Sequence, residues 1–207
     1  MKPDVALVDC GGSNINSVRF AFERLGIQPR FTRDWEVIRH STHVVLPGVG
    51  AAGAAMQCLH QSGLAERLGQ LAQPVLGICL GMQLLFETSA EDETVCLGVI
   101  PARVTALPAS DGLSIPHTGW NLNGWNRSLS HDLSQHVPGD FYGYFVHSYA
   151  APPGPWTLAT THHGEAFSSI VAWRNFLGIQ FHPERSGDAG QKLLAGFLTL
   201  QSAGATS

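Results

Sequence analysis

Lysine is almost missing from this chain. Lys2 and Lys192 are the only two, and with arginine they make 12 cations against 16 acidic residues, a net charge of −4. So few cations provide no basic footprint for a phosphate backbone, and nucleic acid is not an expected partner. Charged residues of both signs reach only 14%, against about a quarter in ordinary soluble proteins, while hydrophobic residues make up 44%. That balance excludes disorder. Cysteine is scarce too: Cys10, Cys58, Cys79 and Cys96 are irregularly spaced, with no Cys-x-x-Cys or Cys/His pairing, so neither a disulfide framework nor a zinc site is expected. No apolar run approaches the roughly 18 residues of a membrane span. The opening Met1-Lys2-Pro3-Asp4 runs straight into a strand-like segment without the layout of a secretory signal. The expected setting is a reducing cytoplasm, away from any membrane. Repeats, linkers and low-complexity segments are also missing, and 207 residues are enough for one domain with a substantial core but too few for two ordinary ones.

In the first half, short apolar runs alternate with helical periodicity. Val5 to Val8, Val44 to Leu46 and Val75 to Ile78 read as buried strands; Ile15, Val18, Phe22 and Leu25 share a helix face closed by Gly26, with Asn14 as the candidate cap. Further helices are expected through Met56 and Leu59, and from Leu64 to Leu71. The second half reads as strands, Phe141 to Tyr149, Trp156 to Thr161, Phe167 to Trp173 and Phe176 to Phe181, before a last helix from about Gly190 to Leu200. The segment from Asp111 to Asp140 has no clear pattern. Together these predict an α/β fold: one three-layer domain with a mostly parallel central sheet flanked by helices and an antiparallel C-terminal portion.

Gly77-Ile78-Cys79-Leu80-Gly81 has the form of a nucleophile elbow, a sharp strand-to-helix turn that exposes its central residue. With 23 glycines and 4 cysteines in 207 residues, such a pentapeptide arises by chance in about five chains in a hundred. Its position after an apolar strand and before a helical run is what singles it out. Glycine at the flanks has a mechanical reason, since side chains there would collide with the neighbouring strand or helix. The following helix N-terminus would favour thiolate. A thiolate nucleophile needs a base and something to orient that base. His182-Pro183-Glu184 follows the strand at Gly178 to Phe181; on extended backbone its histidine and glutamate point the same way. A turn that merely closes a strand is the structural alternative. Pro47-Gly48-Val49-Gly50, at another strand end, could aim amides at a developing oxyanion, or be an ordinary loop.

Read together, these segments resemble the class I glutamine amidotransferases, in which cysteine, histidine and glutamate occur in this chain order. Leu46 to Gly50, Gly77 to Gln83, Pro116 to Asn121, Tyr144 to Tyr149 and Gln180 to Gly187 are similar to the signature blocks of one branch, the glutaminase subunits of imidazole glycerol phosphate synthases in histidine biosynthesis. The resemblance implies a type 1 amidotransferase domain over residues 1–207. It implies Cys79, His182 and Glu184 as the catalytic residues and Gly48, Val49, Gly50, Leu80, Gln83, Ser148 and Tyr149 as glutamine contacts. It further implies a heterodimer with a (β/α)₈-barrel cyclase subunit that receives the ammonia, met through Asn14, Trp120, Tyr144 and Arg185. No cofactor or metal is implied. Gly12-Ser13, Ala52, Thr118 and Arg185 depart from the residues commoner in that branch, mainly where the partner would dock.

Other readings remain. The chain could serve another ammonia-channelling synthase, of pyridoxal phosphate or anthranilate, or be a cysteine hydrolase on a related sheet, or a binding subunit with a degenerate site. His131, Asp132 and His136, or the pair His162-His163, are more simply solvated surface groups than metal ligands. Cys10, Cys58 and Cys96 read as small buried hydrophobes.

Overall fold

The computed structural model describes residues 2–11, 15–48, 50–109 and 112–201. Strand β1 (Val5–Val8) is buried along its whole length, which is why an unbroken apolar run rather than an alternating one encodes it. Helix α1 (Asn16–Arg24) buries Val18, Ala21 and Phe22 and is followed by Gly26 at φ +78°, the left-handed conformation that closes helices. Asn14, its expected cap, lies outside the described residues with Gly12 and Ser13. A short exposed strand, β2 (Arg30–Thr32), and helix α2 (Trp35–His40) come next; the hydrophobic pattern indicated neither. β2 has too little buried surface to leave a pattern, and α2 is marked only by the Asp34 carboxylate, which accepts from Glu36 N–H at 2.8 Å. Then follow β3 (His43–Leu46), α3 (Ala52–Gln61), α4 (Ala65–Leu68), β4 (Val75–Ile78) and α5 (Leu80–Gln83). α4 is a single turn rather than a helix reaching Leu71.

The chain then leaves the expected pattern. Phe86, where the helical run expected after Cys79 (Gly81 to Phe86) ends, instead opens strand β5 (Phe86–Ser89), followed by β6 (Thr94–Val95) and β7 (Ile100–Ala106). Between residues 111 and 140, where no pattern was legible, lie β8 (His117–Trp125) and α6 (Asp132–His136). The remaining elements are β9 (Phe141–His147), β10 (Tyr149–Ala150), β11 (Thr157–His163), β12 (Glu165–Trp173), β13 (Phe176–Ile179) and α7 (Gly187–Phe197).

Among the described residues nine strands form one sheet in the order β2-β1-β3-β4-β13-β12-β11-β8-β9, and β10-β7-β5-β6 form a smaller one. Pairings from β2 to β13 are parallel, and those from β13 to β9 antiparallel. Side chains of the parallel strands alternate between two cores. Ala6, Val8, Val44, Leu46 and Val75 meet Ile38, Met56, Leu59 and Leu68 from α2, α3 and α4. Val5, Leu7, Val45, Leu76, Ile78, Leu177 and Ile179 meet Phe22 of α1 and Leu193, Leu194 and Phe197 of α7. Helices thus cover both faces, the three-layer α/β arrangement that the alternation predicts. Phe22 and Phe197 are fully buried, and truncating either to alanine would cost about 3–5 kcal/mol.

Candidate active site

The site sits where three neighbouring parallel strands stop together. In register, Leu46 of β3 is opposite Gly77 of β4, and Ile78 of β4 is opposite Ile179 of β13. The segments that follow, Pro47-Gly48, Cys79 and His182 to Glu184, therefore emerge side by side at the carboxyl edge of the sheet, where open α/β sheets bind ligands.

Cys79 is the turning point of the elbow, at φ +52° and ψ −111°, a strained conformation for a residue with a Cβ. It is held there from both sides. Its N–H donates to Ile179 O at 2.7 Å, and its carbonyl accepts from Met82 N–H at 3.0 Å and Gln83 N–H at 3.2 Å. The flanking glycines are sterically required: a Cβ on Gly77 would lie 2.5 Å from Gly81 O, one on Gly81 only 1.9 Å from Leu46 O, and one on Gly48 only 2.2 Å from Gly81 N. Gly48 is thus packed against the elbow itself. The helix after Cys79 is the four-residue α5, so it can offer first-turn amides but little macrodipole.

The His182-Pro183-Glu184 segment corrects one expectation. Pro183–Arg185 is a 3₁₀ turn, not extended backbone; proline at its first position fits a helical start and keeps His182 before it extended. The turn, rather than strand alternation, brings Glu184 back under the imidazole, with Oε1 2.9 Å from His182 Nδ1. Ser186 Oγ fixes the loop by donating to His182 O at 2.7 Å and accepting from Tyr144 N–H at 2.9 Å. Burial disfavours a charged His182, but hydrogen bonds to Cys79 and Glu184 outweigh it and lift its pKa well above the ordinary range. Among the described residues Glu184 Oε2 is buried without a partner, and Oε1 serves this one ring.

Above Cys79 lies a cavity of about 250 Å³, lined by Gly50, Cys79, Leu80, Gln83, Glu91, Pro116, Val146, His147, Ser148 and Tyr149. Of the expected glutamine contacts, Gly50, Leu80, Gln83, Ser148 and Tyr149 line it; Gly48 is packed against the elbow instead, and Val49 is outside the described residues. Gly50 has φ +98°, a conformation that favours glycine. Glu91, Pro116, Val146 and His147 in the lining, and Gln180 beside Cys79, were not among the expected contacts. Among the described residues Glu91 is the only acidic group in the lining; its Oε2 accepts from Ala52 N–H at 2.8 Å, capping α3, and in the sequence it is one member of a short acidic run. Gln180 is fully buried, with Nε2 3.7 Å from Cys79 Sγ and Oε1 accepting from Gln83 Nε2 at 3.0 Å.

Beside the cavity, β8 and β9 present one apolar face to the outside. Thr118 faces Val146, Trp120 faces Tyr144 and Leu122 faces Tyr142 in register, with Trp120 56% and Tyr142 59% exposed. The Arg185 guanidinium stacks over the Tyr144 ring at 4.4 Å. Trp120, Tyr144 and Arg185 thus form one patch at the cavity rim, while Asn14 is not among the described residues. His163 is not a solvated surface group as expected: it stacks on His117 at 4.2 Å between ring centroids. His131 caps α6 by accepting from Leu133 N–H at 3.1 Å. Cys10 and Cys96 are buried and Cys58 half-buried; burial pushes the Cys96 thiol up to about 11, which makes it inert near neutral pH.

Residues 6–200 match the family described as glutamine amidotransferase class-I. The chain belongs to this family. This amidotransferase is 45% identical to the imidazole glycerol phosphate synthase subunit HisH of Shewanella oneidensis, with 96% of each chain covered. It is 46% identical to the HisH subunit of Xanthomonas campestris pv. campestris, covering 95% of this chain and 98% of that one. Among solved structures it superimposes on a glutamine amidotransferase with a TM-score of 0.71 at 20% identity, covering 94% of this chain and 96% of the other. The glutaminase domain of Trypanosoma brucei CTPS aligns with a TM-score of 0.60 at 16% identity, covering 94% and 93%. These two likenesses extend the shared fold to distant sequences.

Proposed function

We propose that this amidotransferase is the glutaminase subunit of an imidazole glycerol phosphate synthase, acting in the cytoplasm. It hydrolyses glutamine and passes the ammonia to a cyclase subunit with a (β/α)₈ barrel. The observation that carries the reading is the strained Cys79 at the floor of a small cavity, backed by an imidazole whose far nitrogen is 2.9 Å from a buried carboxylate. The cavity volume falls just below the range for drug-sized ligands and suits a free amino acid.

In this mechanism glutamine enters with its carboxamide over Cys79 and its ammonium towards Glu91, a carboxylate in the lining. Cys79 Sγ attacks the carboxamide carbon, with His182 holding the thiol proton as imidazolium. His182 gives that proton to the departing nitrogen, releasing ammonia and leaving a γ-glutamyl thioester. Water, deprotonated by His182, then attacks the thioester carbon; the collapse of that intermediate frees glutamate and returns the sulfur and ring to their starting state. Glu184 keeps the ring oriented and stabilises its charge throughout. The amides of Val49 and Leu80 receive the oxyanion. Gly50, Gln83, Ser148 and Tyr149 wall the glutamine backbone. The cyclase docks on the face bearing Trp120, Tyr144 and Arg185, with Asn14 contributing. Exposed aromatic and arginine side chains are typical anchors of interfaces.

Glutamate release from glutamine tests the reading, measured for the chain alone and with the cyclase barrel, each with and without the barrel's nucleotide ligand. Strong release only with barrel and ligand together is expected. Equal release in all four conditions would assign the glutaminase to another partner, and release in none would refute glutamine hydrolysis.

A further inference from the structure

Two buried histidines and an asparagine form a hydrogen-bonded chain beside the cavity that the hydrolytic steps do not use. His147 Nδ1 is 2.8 Å from Tyr149 O. A carbonyl can only accept, so Nδ1 carries the proton and Nε2 is bare. His117 Nδ1 lies 3.0 Å from that Nε2 and must donate to it. His117 Nε2 then accepts from Asn121 Nδ2 at 3.2 Å. The asparagine amide is fixed independently, its nitrogen donating to His162 O at 2.9 Å and its oxygen accepting from Leu122 N–H at 2.8 Å. Backbone groups that cannot reverse their roles thus set the protons at both ends, and every donor points towards Tyr149 O. Both rings are buried, at 6% and 4% exposure. Burial holds both pKa values down, His147 at about 3 and His117 at about 4, in keeping with neutral rings.

The end point of this chain gives it a role. Tyr149 O accepts a second hydrogen bond, 2.8 Å from Gln83 Nε2 on α5, so both of its lone pairs are used. Gln83, His147, Ser148 and Tyr149 all line the cavity. Ser148 is the joint where the chain leaves β9 of the large sheet and enters β10 of the small one. At this joint Ser148 O accepts from Leu107 N–H at 2.8 Å and Tyr149 pairs with Ala106 of β7, while Tyr149 O is held by side chains, those of His147 and Gln83.

We propose that His147, held in its Nδ1–H form by His117 and Asn121, is a positioning residue that sets the Ser148–Tyr149 wall of the glutamine cavity. The inference rests on the glutaminase reading and adds to it a determinant of substrate binding that does not touch the reacting atoms.

Two polar replacements separate the ring's two nitrogens. His147→Asn keeps an N–H at the Nδ1 position and so the bond to Tyr149 O, whereas His147→Gln places its amide at the Nε2 position and leaves Tyr149 O short of a donor. The measurement is KM and kcat for glutamine in the assembled synthase, with the alkylation rate of Cys79 by chloroacetamide, which lacks an amino-acid moiety and reads thiol reactivity alone. His147→Gln should raise KM about tenfold or more, with the alkylation rate within about twofold of wild type, while His147→Asn stays within about threefold in KM. Equal KM in the two variants would overturn the proposal, as would a fall in kcat and alkylation at unchanged KM. Should His147→Gln fail to fold, His117→Phe removes the donor to His147 Nε2 one step further from the cavity; it should raise KM about threefold, and an unchanged KM overturns the proposal. Absence of glutamate release by the wild-type synthase would instead refute the glutaminase reading, so the two failures are distinguishable.

Discussion

Acidifying this protein from pH 7 to pH 5 should destabilise it through buried histidines that refuse protons, and His147 provides the clearest case. Unfolded, it titrates near the ordinary histidine value of about 6.5. Folded, burial holds it at about 3 against the opposing effect of its bond to Tyr149 O, and the neighbouring His117, His163 and His182 add to the lowering. A base with a depressed folded pKa contributes stability that is complete above the unfolded value and is lost as pH falls towards the folded one. The limiting slope is about 1.4 kcal/mol per pH unit for one proton, and the integral from pH 7 to 5 comes to about 2 kcal/mol. His117, His43 and His131 are shifted the same way, each by burial first, and add to the loss. His182 is shifted upward, so its contribution is complete below the unfolded value and drains as pH rises towards its folded one; it adds no loss on acidification. Urea unfolding of wild type and His147→Asn at pH 7 and pH 5 isolates the residue. The wild type should lose about 2 kcal/mol more than the variant on acidification. Equal losses would refute a neutral, proton-refusing His147.

Other perturbations address the elbow, the ring and the outer face. Cys79→Ala should retain the fold and reduce glutamate release by at least about 10³-fold, read by a coupled glutamate assay on the assembled synthase. Glu184→Gln keeps the shape but removes the charge 2.9 Å from the imidazole; a kcat loss of about 10²- to 10⁴-fold is expected, and wild-type kcat would show that the ring needs no charged partner. Gly81→Ala forces a Cβ to within 1.9 Å of Leu46 O and should cost several kcal/mol, about 3 or more, seen as a large drop in melting temperature. Trp120→Ala, at a residue 56% exposed, should leave that temperature within a few degrees and weaken cyclase binding by about 2 kcal/mol, measured by calorimetric titration.

The parts of the fold legible in the sequence were those whose burial is uniform or periodic. β1, β3 and β4 are buried on both faces and so appear as unbroken apolar runs. β2 is mostly exposed and left no trace. β5 was absorbed into a helical reading because Leu84, Leu85 and Phe86 are all fully buried, and an apolar triplet satisfies either period. β8 alternates between a buried and an exposed face, but its exposed side carries Trp120 and Leu122, which conceals the alternation.

What the sequence marked by itself was a set of local groups that the structure brings to one edge of the sheet: a cysteine flanked by glycines, a histidine and glutamate around a proline, and the glycine-rich strand end. Each is a local constraint, readable over a few residues. Tertiary structure decided what depends on segments far apart in the chain. Glu91 reaches the cavity because the small sheet folds back over α3. Gln180 reaches Cys79 because β13 and β4 are parallel neighbours in register. The proton order along Asn121, His117 and His147 exists only because two antiparallel strands set His117 opposite His147. A hydrogen bond between residues thirty apart leaves no mark on the residues between them, so no local pattern could have announced it.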